Sequence, residues 1–80
     1  MGELEKTPLI RIIEDLERLN QDIGIKIIKY EKQPSRKLGF EIDLMVAKYN
    51  LLIMELYRRF PFLQENEELQ PKKMMKKKGE

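Results

Sequence analysis

The sequence predicts an all-α fold in which two helices form an antiparallel hairpin. Its apolar residues form two seams that step by threes and fours, which places each seam on one side of a helix. A short loop at residues 33–37, which contains Pro34, separates the two seams. The first seam comprises Leu9, Ile12, Leu16, Leu19, Ile23, Ile27 and Tyr30, and the second comprises Leu38, Ile42, Met45, Tyr49, Leu52, Leu56, Phe60 and Leu63.

The chain length of 80 residues allows at most one small domain. We expect a disordered N-terminus over residues 1–6, a single helical domain over residues 7–70 and a disordered basic tail over residues 71–80. Small folds usually gain stability from disulfides, metals or oligomers. The chain has no Cys and no His, so self-association, a partner or unusually good helix packing is the expected source of that stability.

The first helix is predicted to begin at Thr7-Pro8, because Thr can cap free amide groups and Pro suits the first helical position. Residues 9–22 then follow a clear helical period. Oppositely charged side chains four residues apart, such as Arg11 and Asp15, indicate that the outer face of this helix is solvated.

Residues 23–46 allow a second interpretation. Gly24 costs a helix about 1 kcal/mol relative to Ala, and the isoleucines near it also suit a strand. Residues 23–31 and 39–46 could therefore form a β-hairpin between two helices, in an α-β-β-α layout. We favour helices, because the three-four stepping continues through both stretches and Ile is also abundant in residues 9–22, which follow a helical period.

The second helix has clear predicted ends. Pro34 ends the first segment, since the residue before a proline disfavours helical angles, and Ser35 can cap the second helix. That helix is predicted to run to about Arg59 or Phe60, where Pro61 stops or kinks it. A short amphipathic turn over residues 61–70 can follow.

A wide apolar surface is the main functional signal. A two-helix hairpin covers one flank of each helix, whereas the apolar residues spread around the helix axis, and large exposed apolar patches are rare on monomers. We expect this surface to bind a second copy, giving a four-helix bundle, or to dock on a larger protein; the alternative is that it forms the hairpin's own core. The candidate partner-binding residues are Ile13, Leu44, Leu51, Leu52, Ile53, Leu56, Tyr57 and Phe60.

Basic residues near the loop and in the tail give the alternative function, nucleic-acid binding. Lysines next to aromatic residues can hold phosphates and stack bases, although such lysines also occur on solvated loops. On the outside of the second helix, Glu41, Lys48, Glu55 and Arg59 mix signs, which argues against a recognition helix in a major groove. The candidate nucleic-acid-binding residues are Lys26, Lys29, Lys32, Arg36, Lys37, Lys72, Lys73, Lys76, Lys77 and Lys78.

Catalysis is not expected, and neither is a cofactor, a metal or a small-molecule substrate. The hydroxyl groups of Ser35 and Thr7 have better explanations as helix caps. No carboxylate lies on an apolar seam, so the sequence predicts no buried acid with a shifted pKa.

The remaining signals concern location and setting. The amino end lacks the apolar core of a signal peptide and the apolar runs are too short to span a bilayer, so we expect a cytoplasmic protein without membrane contact. The wealth of Lys, Glu, Ile and Leu resembles that of hyperthermophile proteins. In size and profile the chain resembles the small helical accessory subunits of archaeal polymerase or transcription complexes, which implies a non-catalytic interaction subunit of a nucleic-acid-processing assembly.

Overall fold

The computed structural model describes residues 6–74 and shows a helical hairpin. Helix α1 spans Leu9–Lys32, helix α2 spans Arg36–Arg59, and a short 3-10 helix spans Pro61–Glu65. The two long helices pack against each other, and no strand occurs within residues 6–74. The predicted all-α hairpin is confirmed and the α-β-β-α alternative is wrong over these residues, whereas a four-helix bundle of two copies stays a prediction.

Helix α1 continues through the stretch for which a strand was considered. Gly24 lies on its exposed side, where a Cβ atom would have no heavy atom within 4 Å. The neighbouring Ile23 is buried and Ile27 is half-buried against the core. Burying these side chains offsets the cost of about 1 kcal/mol that a glycine imposes on a helix.

The caps of the two helices differ. Ser35 stands at the N-cap of α2, where its Oγ accepts a hydrogen bond from the Leu38 N–H at 3.1 Å, as the sequence predicts. At α1 the prediction is displaced by one residue: the helix begins at Leu9, and Pro8 rather than Thr7 is the N-cap residue. The Pro8 carbonyl accepts the first backbone hydrogen bonds of the helix.

The core lies between α1 and α2 and is built mainly from the two predicted seams. Each seam contributes buried residues, because its three-four spacing keeps it on the side that faces the other helix. Val46 and Ile53, which lie beside the second seam, complete the core. The buried apolar residues are Ile12, Leu16, Ile23, Ile42, Val46, Tyr49, Leu52, Ile53 and Leu56.

A C-terminal strap, residues 60–72, covers a second flank of α2. Leu63 and Leu69 pack against the core, and the Tyr57 hydroxyl donates a hydrogen bond to the Leu69 carbonyl. Asn50 donates to the Lys72 carbonyl at 3.0 Å and accepts from the Lys72 N–H at 2.8 Å. The hairpin therefore covers more of α2 with its own chain than the sequence analysis anticipated.

These contacts also bear on the domain boundaries. The division into an N-terminal segment, a helical domain over residues 7–70 and a basic tail stays a prediction. Lys72, which lies in the predicted tail, is bound to α2 through both its backbone N–H and its carbonyl. Most of the predicted N-terminal segment, residues 1–5, and the end of the predicted tail, residues 75–80, lie outside the described residues.

Candidate interaction surface

Helix α2 carries an apolar stripe on the side opposite the core, which we call the outer stripe. Its large side chains, Phe40, Leu44, Leu51 and Met54, are all exposed, and the half-buried Ala47 lies between them. The spacing of four, three, four and three residues is that of a coiled-coil seam, which keeps all five residues in one row along the helix. The outer stripe can therefore receive the side chains of one further helix.

The rest of the chain packs against other parts of α2 and leaves the outer stripe uncovered. Helix α1 covers the core side and the C-terminal strap covers one flank. On the other flank, Arg59 links α2 to the segment before α1, because its Nη2 donates a hydrogen bond to the Thr7 carbonyl at 2.7 Å. The hairpin buries its core residues within its own chain, and this row of apolar side chains remains exposed to water.

Glu55 is the buried charged residue beside this flank. Its side chain is 5% exposed, although the sequence analysis placed it on the outside of the second helix and predicted no buried acid. Arg58 donates to both carboxylate oxygens, from Nε at 3.1 Å and from Nη2 at 2.6 Å, and Arg59 Nε donates to Oε2 at 2.7 Å. Both predictions are wrong, because the two arginines that follow Glu55 cover and neutralise its carboxylate.

The electrostatics of this cluster indicate a structural role. Hydrogen bonds from Arg58 and Arg59 lower the pKa of Glu55 from its ordinary 4.5 to about 2. The carboxylate is therefore ionised at neutral pH, and it cannot serve there as a proton donor. Glu55 and its arginines hold the end of α2 to the start of α1 and do not form a catalytic acid.

A groove of about 960 Å³ lies between α1 and the C-terminal strap. Its walls are mostly apolar, and three carboxylates of Glu17, Glu67 and Glu68 lie among them. The apolar lining includes Leu9, Ile13, Leu16, Phe60, Phe62, Leu63 and Leu69. The groove is a second exposed surface with apolar character, and it lies on a different side of α2 from the outer stripe.

The predicted partner-binding residues lie in four environments. Only two of the eight belong to the outer stripe. Buried residues cannot contact a partner unless the hairpin opens, so the core members do not contribute to an exposed surface in this structure. Leu44 and Leu51 lie in the outer stripe, and Ile13 and Phe60 line the groove. Leu52, Ile53 and Leu56 are buried in the core, and Leu56 also lines the groove. Tyr57 is half-buried beneath the strap.

Three outer-stripe residues, Phe40, Ala47 and Met54, were missing from that prediction. The signal was present in the sequence, because residues 40, 44, 47, 51 and 54 follow heptad spacing as a further row on α2. It was obscured because the apolar residues beside both seams were treated as one wide face.

The predicted basic residues at the hairpin tip are close together, but one of them is engaged. Lys26 Nζ donates to Glu41 Oε1 at 3.0 Å, and this bond lowers the pKa of Glu41. Tyr30 is half-buried with its ring against Gly39, which leaves Phe40 as the exposed aromatic residue next to the tip. The exposed cations around the loop are Lys29, Lys32, Arg36 and Lys37.

The tail lysines lie apart from the tip. Lys72 is half-buried, with Nζ 4.8 Å from the centre of the Tyr49 ring, while Lys73 is exposed. Lys76, Lys77 and Lys78 lie outside the described residues. The described tail thus supplies a contact within the protein at Lys72 as well as one exposed cation.

Comparison of the chain with protein-family models, with curated proteins and with solved structures gave no match. Within residues 6–74, neither helix has the length and apolar character needed to cross a bilayer. Acidic side chains in the same range form no group of three or more that could hold a metal ion.

Proposed function

We propose that this protein is a non-catalytic helical interaction subunit that binds a protein through the outer stripe of α2. The observation that carries the proposal is that Phe40, Leu44, Leu51 and Met54 are exposed in heptad spacing on a helix whose core side and one flank are covered by the same chain. Burial of one such side chain is worth about 1.5–3 kcal/mol. A partner that covers all four therefore offsets a large part of the free-energy cost of association.

The shape of the surface defines the kind of partner. A single row of apolar residues flanked by charges fits an apolar helix face better than a globular surface, because knobs from a second helix can enter the holes between heptad positions. Glu41 and Lys48 border the row and would fix the register of the partner. The resemblance to accessory subunits makes a nucleic-acid-processing assembly the first setting in which to seek that partner.

The proposal is tested by comparing Leu51→Asp with Ile25→Asp. The two side chains are equally exposed, at 63% and 64%, but Ile25 lies on α1 outside the outer stripe. We expect both variants to remain helical by circular dichroism, and only Leu51→Asp to lose association with itself or with a protein retained from native extract. Equal association by wild type, Leu51→Asp and Ile25→Asp would refute the proposal.

Nucleic-acid binding is the second candidate function. It is supported by the exposed cations Lys29, Lys32, Arg36 and Lys37 on both sides of one tight loop and by exposed Phe40 beside them. Cations of this kind bind phosphates without sequence preference, and an exposed ring can stack on a base.

A further inference from the structure

We infer that the outer stripe binds the outer stripe of a second copy, with the two α2 helices antiparallel. This inference rests on the proposed function and names the partner. It follows from the pattern of large, small and charged residues along the stripe, which is self-complementary in one register.

Stripe residues that face each other across the two helices form layers. These layers fit when Leu44 of one copy faces Ala47 of the other. The same register places Phe40 opposite Leu51 of the second copy, and the two-fold symmetry repeats both contacts. Each layer then combines a larger with a smaller side chain, so the space between the helices is filled evenly. A dimer interface of this kind is isologous, with one surface patch meeting itself.

The flanking charges select the same register. Glu41 and Lys48 are one heptad apart on the same edge of the outer stripe, and in this register Glu41 of each copy lies beside Lys48 of the other. Sliding the helices by one heptad in either direction would bring Glu41 against Glu41 or Lys48 against Lys48. The register that pairs Glu41 with Lys48 is therefore favoured over the two shifted registers, because their like-charge contacts are destabilising.

A parallel pairing fits less well. It would bring Asp43 close to Lys48 of the second copy, which is favourable, but it would also place Ala47 against Ala47 and leave a gap between larger layers. The two cations at the ends of the row, Lys37 and Arg58, would each meet the same residue of the second copy. In the antiparallel arrangement neither cation faces the same residue of the second copy.

Charge exchange tests the inference and the orientation together. The dimer dissociation constant is measured by sedimentation equilibrium for wild type, Lys48→Glu and the double variant Glu41→Lys/Lys48→Glu. We expect Lys48→Glu to weaken the dimer about tenfold, because it replaces two attractive contacts between copies with two repulsive ones. The double variant restores both contacts between copies in the antiparallel register, while it also breaks the Lys26–Glu41 bond inside each copy. It should therefore dimerise clearly more tightly than Lys48→Glu.

The outcomes separate the inference from the proposed function. In a parallel dimer Lys48→Glu and the double variant would both oppose Asp43 to the same new glutamate, and the second substitution would restore nothing. A double variant that dimerises no more tightly than Lys48→Glu would therefore overturn the antiparallel arrangement. Wild-type protein that is monomeric at every concentration would overturn self-association itself. If that monomer still retains a foreign protein that Leu51→Asp releases, the proposed function survives; if Leu51→Asp changes nothing, both fail.

Discussion

Glu55 holds the guanidinium of Arg59, and Arg59 joins the end of α2 to the segment before α1. Its Nε donates to Glu55 Oε2 at 2.7 Å, while Nη2 of the same guanidinium donates to the Thr7 carbonyl at 2.7 Å. Arg58 donates hydrogen bonds to the same carboxylate. Glu55 is therefore nearly buried and still remains charged. These hydrogen bonds connect the two helix ends that lie opposite the loop. Their contribution to stability depends on the ionisation of Glu55 and therefore on pH.

Acid should weaken the hairpin through Glu55. The pKa of Glu55 is lowered to about 2 in the folded protein, from an ordinary value of 4.5. The unfolded chain therefore binds more protons between these values, and the stabilisation, present above pH 4.5, is lost as the pH falls toward 2. Thermal unfolding of Glu55→Gln should show a lower midpoint than wild type at pH 7, with the difference shrinking between pH 4.5 and 2.

The comparison with wild type is needed because the pKa of Glu41 is also lowered by its bond to Lys26, which adds to the acid sensitivity of both proteins. Glu31→Gln, at an exposed site on α1, serves as the control and should follow the wild-type curve. A difference between wild type and Glu55→Gln that persists unchanged at pH 2 would contradict the assignment.

Gly24→Ala should stabilise the protein. The position is helical and exposed and has open space where the Cβ atom would lie. Alanine restricts the unfolded chain more than glycine does, so we expect a gain of about 0.5–1 kcal/mol in the free energy of unfolding, measured with urea. A loss of stability would show that α1 needs the glycine for a reason the structure does not contain.

Gly39→Ala is the matched comparison in α2. Its new Cβ would lie 3.3 Å from Cε2 of Tyr30, which is tight enough to require movement of the ring. We expect a smaller gain than at Gly24, because displacing the ring offsets part of the helix propensity. An equal gain at the two sites would mean that the packing of Tyr30 on Gly39 is loose.

The C-terminal strap should depend on Asn50. Asn50→Ala removes both hydrogen bonds to the Lys72 backbone, which should cost about 1–2 kcal/mol of unfolding free energy. It should also make the bond after Lys72 easier for trypsin to cut. Gln21→Ala, at an exposed site on α1 outside the groove, should cause neither effect. Equal trypsin sensitivity in all three proteins would refute docking of the strap.

The sequence predicted the hairpin well because its information was periodic. Seam residues such as Ile12 and Leu52 recur at helical spacing, and Ser35 is a local cap signal, so neither required knowledge of distant contacts. For the strap the sequence predicted an amphipathic turn over residues 61–70 but not its docking on α2, because the strap is held by isolated apolar residues such as Leu69 and by the backbone of Lys72. Every residue except proline has a backbone N–H, so the residue type at position 72 does not indicate that its N–H will bind Asn50.

The candidate surface was only partly predictable for a different reason. Helical spacing shows that Leu51 and Leu52 point in different directions, but it does not show which direction faces α1. That choice depends on the packing of both helices and the strap, which placed Leu52 in the core and Leu51 in the outer stripe. Glu55 was misplaced because its burial depends on Arg58 and Arg59 folding over it.

The hairpin tip makes a separate prediction about nucleic acid. If the exposed cations Lys29, Lys32, Arg36 and Lys37 hold phosphates, the affinity of the full chain for single-stranded RNA should fall steeply with salt. Replacing all four by Gln should flatten that dependence, whereas Lys48→Gln, far along α2, should not. Absence of salt-sensitive binding by the full chain would eliminate the second candidate function.

The measurement that tests the outer stripe most directly is the molar mass of wild type and Leu51→Asp, determined by light scattering over a wide range of concentration. Both should be helical by circular dichroism, because Leu51 is exposed and lies outside the core. We expect wild type to approach the mass of a dimer as concentration rises and Leu51→Asp to stay monomeric. A monomeric wild type would contradict self-association through the stripe, and a Leu51→Asp variant that dimerises as wild type does would contradict the stripe as the interface.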